Sequence, residues 1–112
     1  RLSSWYADEG LTYSYSGVLL SPRAWTEDLM LLKDKLKKQL DLNFNSVLIN
    51  YYRSGQDSMG WHQDNEKELG TNPVIASLSL GQPRIFQLKH IKDKSLATKN
   101  IWSRATLSRC FC

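Results

Sequence analysis

Residues 12–20 alternate polar and aromatic positions before turning apolar, the two-residue period of a strand, and Ser21-Pro22 ends the run. The period then lengthens. Leu29, Leu32, Leu36 and Leu40 recur at helical spacing, with Lys33, Lys35, Lys37 and Lys38 on other faces. Thr26 is placed to cap this segment, and Glu27 and Asp28 follow in the first turn, where acidic side chains favour the helix dipole. The pattern predicts one amphipathic helix of about four turns, its leucine stripe laid on something flat. From Phe44 the β period returns. Residues 46–53 are a β-branched and aromatic run closed by Ser54-Gly55-Gln56-Asp57. Residues 73–80 form a second run, closed by Gly81-Gln82-Pro83. Residues 84–91 form a third, expected to pair antiparallel with the second across that turn. Lys92-Asp93-Lys94-Ser95 reads as a loop, and the last dozen residues carry neither period. One helix leaning on several antiparallel strands predicts an α+β fold, a β-sandwich or barrel with a helical buttress.

Length holds this to one domain with a modest core, since the chain has 112 residues. With 41% apolar and 23% charged residues it reads as globular and soluble. No apolar run reaches the roughly 18 residues of a membrane span, and Arg1-Leu2-Ser3-Ser4 lacks signal-peptide architecture, so no membrane partner is expected. Cys110 and Cys112 stand one residue apart, too close for a scaffold disulfide and too few for zinc, which suits an intracellular, reducing compartment. The net charge of +4 is compatible with nucleic acid as partner, because phosphate neutralisation gives sequence-independent affinity. The basic helix face is more simply read as a solvated surface. Four Trp and five Tyr serve either a core or base stacking, so their placement matters more than their number.

Chemistry concentrates between Asn50 and Glu66. His62 and Asp64 are two residues apart in an extended stretch, so they project to one side and can chelate one metal together. Two ligands from one short segment begin a 2-His-1-carboxylate facial triad, which leaves positions on Fe(II) open for cosubstrate and oxygen. Asn50 and Tyr52 share a strand face by the same spacing and could hold a polar small molecule with an amide and a phenol. The plainer alternative makes Asn50 a strand-edge residue and Tyr52 a core aromatic. Trp61, beside the first ligand, reads as core.

The run from Phe44 through Asn50-Tyr51-Tyr52-Arg53 to Gly60-Trp61-His62-Gln63-Asp64 resembles the centre of the AlkB family of Fe(II)/2-oxoglutarate dioxygenases. Residues 73–81, then Arg84-Ile85-Phe86, continue the likeness, and Trp5 with residues 13–17 extends it upstream. It covers residues 1–91, which are expected to form a partial dioxygenase domain, with 92–112 as a divergent tail. The resemblance implies an incomplete double-stranded β-helix (jelly roll) buttressed by the helix. It implies His62 and Asp64 as catalytic iron ligands, and Asn50 and Tyr52 as contacts to 2-oxoglutarate. Glu66 then accepts from the exocyclic amine of a flipped-out base, and Trp5 and Tyr13 belong to the aromatic lid around that base. Fe(II), 2-oxoglutarate and O2 are the implied cofactor and cosubstrates, and alkylated DNA, or RNA, the partner. The implied reaction is oxidative demethylation of bases such as 1-methyladenine and 3-methylcytosine, in the nucleus or cytoplasm.

The likeness stops short of a third iron ligand. His90, the other of two histidines, stands where the family has a basic residue outside the metal site, and Arg104 and Arg109 are not in the context of the family's 2-oxoglutarate-binding arginines. The tail from Trp102 departs from the pattern. The competing expectation is therefore a truncated, catalytically inactive product that retains at most nucleic-acid or partner binding. A small basic nucleic-acid-binding domain with an accidental His-x-Asp is the third reading.

Overall fold

The computed structural model describes residues 1–111 apart from 16, 65, 66, 72, 94, 96 and 103–107, and describes the backbone alone at 15, 20, 68, 97–102 and 108–111. Strand β1 (Leu2–Ala7) pairs antiparallel with β4 (Ser46–Tyr51), and between them in sequence lie the short strands β2 (Tyr13–Tyr15) and β3 (Val18–Leu20) and the helix α1 (Glu27–Leu40). After β4 come β5 (Ala76–Leu78), β6 (Arg84–Lys89), β7 (Ala97–Trp102) and β8 (Ser108–Phe111). The main sheet has the order β1-β4-β8-β5, with every neighbouring pair antiparallel. Two ribbons, β2-β3 and β6-β7, complete the described strands. The architecture is α+β, with one helix and antiparallel strands.

Helix α1 begins where its cap residue predicts. Thr26 is extended, and its hydroxyl accepts from the Leu29 amide at 3.3 Å, which satisfies one of the free donors of the first turn. Asp41 ends the helix in the left-handed region at φ 53°, its amide donating to the Lys37 carbonyl at 2.9 Å. Leu29 is buried and Leu32 and Leu36 are half-buried against the sheet, whereas Leu40 is exposed: the stripe rolls off the core before the helix ends. The core itself is small. Leu29, Phe44 and Val47 form its buried centre, with Tyr6, Trp25, Ile49 and Ala76 packed around it. Trp25 is tied down twice, by Nε1 donating to Asp8 Oδ1 at 2.8 Å and by Lys33 Nζ lying 4.7 Å over its ring.

Register decides which residues face this core. The pairs Tyr6↔Val47 and Ser4↔Ile49 point to the helix side, so Ser3↔Asn50 and Trp5↔Leu48 point to the opposite face. The sheet is thus packed on one side by α1 and carries Asn50 and Trp5 on the other.

Three expectations are corrected. Residues 12–20 are not one strand but the hairpin β2-β3, turned by Gly17 at φ 77°, a value that a side chain would strain. Residues 73–80 do not pair with 84–91. The left-handed Gly81, at φ 102°, sends the chain away from the sheet instead; β5 joins β8, and β6 pairs with β7 over Arg84↔Trp102 to Lys89↔Ala97. Asn50 is not at a sheet edge, because β4 is flanked by β1 and β8. The tail that carried no period supplies both β7 and β8, and β8 sits inside the main sheet. On the β6-β7 ribbon, Ile85 and Leu88 stay exposed, as does Ile91 just past its end.

The link out of β4 is folded around Asp57, which forms ion pairs with Arg53 and, at 2.8 Å, with the Arg1 α-ammonium. Asp57 accepts from the Arg53 backbone amide at 2.9 Å and from its guanidinium at 2.9 and 3.0 Å, a fork that closes the Ser54–Asp57 turn. The Arg53 guanidinium holds the Asp57 carboxyl well below the usual carboxylate range.

Two outcomes follow from this packing. Phe44→Ala empties the centre of a small core and is expected to cost about 3–5 kcal/mol, read from the urea midpoint at an unchanged slope. Asp57→Asn is expected to lower the urea midpoint at pH 7. Because the folded-state pKa is depressed, the contribution is complete above the ordinary carboxylate value, near ~3.9, and fades as pH falls below it. The gap between wild type and variant should therefore stay level from about pH 6 to 8 and close in acid.

Candidate metal centre and substrate face

His62 and Asp64 lie in an extended segment, where the alternation of side chains puts both on one side. His62 Nδ1 is 2.9 Å from the Gly60 carbonyl oxygen. A carbonyl can only accept, so Nδ1 carries the proton, and in the neutral ring Nε2 is left with its lone pair. That lone pair faces Asp64 Oδ1 at 3.4 Å. Two acceptors so placed repel one another unless a proton or a cation lies against both. Cis ligands held about 2.1 Å from an ion stand about 3 Å apart, so the pair has the separation of two sites on one metal. Backbone orientation of the non-ligating nitrogen is the arrangement that metal-binding imidazoles adopt. Both side chains are 39% exposed, open enough to take an ion from solvent. The donor set, one imidazole nitrogen and one carboxylate, suits Fe(II). Among the described residues no group of three or more His, Cys, Asp or Glu side chains gathers to hold a metal. His90 does not supply the third ligand through Nδ1, which accepts from the amides of Lys92 and Asp93 at 3.3 and 3.0 Å and so caps its own loop.

Asn50 is buried, at 2% exposure, on the face of the sheet away from the helix. Its Oδ1 accepts from Ser3 Oγ at 2.8 Å and from the Arg1 guanidinium at 3.3 Å. With the oxygen committed, the amide is oriented, and its NH2 group donates to no described residue. Tyr52 follows just past β4, half-buried, with its hydroxyl 3.9 Å from Met59 Sδ, a weak contact. The Arg84 guanidinium lies over the Tyr52 ring, 4.3 Å from its centroid. Nothing in the sequence pattern announced that contact, because it joins positions far apart in the chain.

Trp5 and Tyr13 come together, ring centroids 5.4 Å apart and planes tilted by 41°, in the range of a favourable aromatic pair. Trp5 shares its sheet face with Asn50 through the β1-β4 register. Glu66 lies outside the described residues. Trp61 is not core: it is 65% exposed, with Lys89 Nζ 5.6 Å from its ring. In an extended segment it projects to the side opposite its neighbour His62.

Comparison with known proteins places the chain in a family. Residues 2–104 match the family described as the 2OG-Fe(II) oxygenase superfamily. Over 90 residues, 80% of the chain, it is 41% identical to bovine alpha-ketoglutarate-dependent dioxygenase alkB homolog 3 and 43% identical to bovine DNA oxidative demethylase ALKBH2, covering 31% and 32% of those proteins. With the DNA oxidative demethylase ALKBH2 of Arabidopsis thaliana the identity is 39% over 98 residues, 84% of this chain and 31% of that protein. The chain thus spans about a third of the length of these curated relatives. With residues 2–104 matched by the family and about 40% identity over four fifths of its length, this chain belongs to the 2OG-Fe(II) oxygenase superfamily and is AlkB-like within it.

Proposed function

We propose that this chain takes part in oxidative demethylation of N-alkylated nucleobases in DNA, in the manner its relatives' names describe. The observation that carries the reading is the His62 Nε2 lone pair facing Asp64 at 3.4 Å with Nδ1 held by Gly60. His62 and Asp64 would hold Fe(II). Bound together, Fe(II), O2 and 2-oxoglutarate supply the oxidation, in which an N-methyl group is hydroxylated as 2-oxoglutarate is decarboxylated, and the product sheds formaldehyde.

The protein's own work is binding, orientation and exclusion of water. The NH2 of Asn50 and the hydroxyl of Tyr52 are hydrogen-bond donors, the polarity that an anionic keto acid requires. A base reaches the metal only after leaving the stack, and the paired faces of Trp5 and Tyr13 offer apolar surface to replace the stacking it loses. Glu66, two residues past Asp64, supplies the acceptor for an exocyclic amine in this reading. The net charge of +4 favours approach to phosphate. The strands are read as part of a double-stranded β-helix, in which the exposed Ile85, Leu88 and Ile91 would lie against a facing sheet.

A second reading has its own observation, the two-ligand pair without a third among the described residues. In that reading the chain keeps nucleic-acid or partner binding and loses turnover. The two separate in one assay, with Fe(II), 2-oxoglutarate and a single-stranded oligonucleotide carrying 1-methyladenine. The enzyme reading predicts formaldehyde release that His62→Ala lowers by at least about a hundredfold, as expected when a metal ligand is removed. Oligonucleotide binding without formaldehyde release, in a folded chain, would establish the second reading.

A further inference from the structure

We infer that Arg84 is a positioning residue for the cosubstrate pair, acting through Tyr52; the inference rests on the proposed role of Tyr52 and adds the group that orients it. Arg84 is the first residue of β6, away from the segment that carries Asn50, Tyr52, His62 and Asp64. Its guanidinium makes three contacts with that segment. Its Cζ lies over the Tyr52 ring, 4.3 Å from the centroid, Nη1 donates to the Ser54 carbonyl at 3.2 Å, and Nη2 donates to the Asp57 carbonyl.

These contacts have a division of labour. The Tyr52 hydroxyl touches only Met59 Sδ, weakly, among the described residues, so the phenol is not fixed from its polar end. It is fixed from its face, by a cation over the ring. A hydroxyl left without a strong partner is the one that a ligand can use. The two carbonyl bonds meanwhile hold the 54–57 turn from one side, while the Arg53 fork to the Asp57 carboxylate closes it from the other. That turn is the covalent link between Tyr52 and the His62–Asp64 segment, so Arg84 ties both halves of the site to the β6-β7 ribbon. The geometry needs arginine. A lysine presents one point charge and cannot lie flat on the ring while forking to two carbonyls.

The test is binding of 2-oxoglutarate by calorimetry, with Mn(II) in the metal site, to the full chain and to Arg84→Gln, Arg84→Lys, Tyr52→Phe and Arg84→Gln/Tyr52→Phe. The expected result is a Kd for 2-oxoglutarate raised about tenfold by either Arg84 substitution, the scale of a partly covered cation–π contact. Lysine should fail to rescue. The double variant should be little weaker than Tyr52→Phe, because the two residues act as one. Affinity for Mn(II) alone should stay within about twofold, whereas general loosening of the fold would weaken both ligands. Additive effects of Arg84→Gln and Tyr52→Phe, or an unchanged Kd in Arg84→Gln while Tyr52→Phe weakens binding, would overturn the positioning role and leave the role of Tyr52 intact. An unchanged Kd in Tyr52→Phe would remove the role of Tyr52 and the inference with it.

Discussion

Pairing Ser3 with Asn50 and Trp5 with Leu48 sends alternate side chains of β1 and β4 to opposite faces, and a slip of one residue would exchange them. In the observed register Tyr6, Val47 and Ile49 pack on the α1 side, and Trp5 and Asn50 take the opposite face. Burial of the helix side therefore does more than stabilise the domain. It fixes which face carries Asn50 and Trp5, because a slip of one residue would turn Val47 and Ile49 out of the core. Ser3 contributes directly as well, by taking the oxygen of Asn50 and leaving its nitrogen to donate.

Beyond β4 the sheet no longer orients the chain, and local polar contacts take over. The Arg53–Asp57 fork closes one turn, Arg84 braces it from β6, and the Gly60 carbonyl sets the His62 ring. The metal pair is thus positioned by hydrogen bonds rather than by packing. Such a segment remains open to solvent, with both side chains of the His62–Asp64 pair 39% exposed. It also relies on charged contacts whose strength falls in acid and in salt.

Legibility of the fold in the sequence followed the range of the interactions. Helix α1 was readable to its cap because Thr26, the two acids and the leucine spacing are local signals. Strand β4 was readable from its β-branched run. Strand β1 was not, since Leu2-Ser3-Ser4-Trp5-Tyr6-Ala7 shows no alternation and is a strand because β4 lies beside it. The partner of β5 was misassigned because hairpin logic favours the next run, whereas β8 arrives from the tail. In the site, His62, Asp64, Asn50 and Tyr52 stood out by spacing and by resemblance. Arg84 over Tyr52 and the exposure of Trp61 did not, as both depend on contacts between distant positions.

The central claim is that His62 and Asp64 form a metal site of which His62 Nε2 is a ligand. Electron spin-echo spectroscopy of the Mn(II)-loaded chain tests it directly, because a directly bound imidazole nitrogen modulates the echo. With two histidines in the sequence, the account predicts one imidazole coupling that disappears in His62→Ala and persists in His90→Ala. A coupling that survives His62→Ala, or that vanishes in His90→Ala, would contradict it.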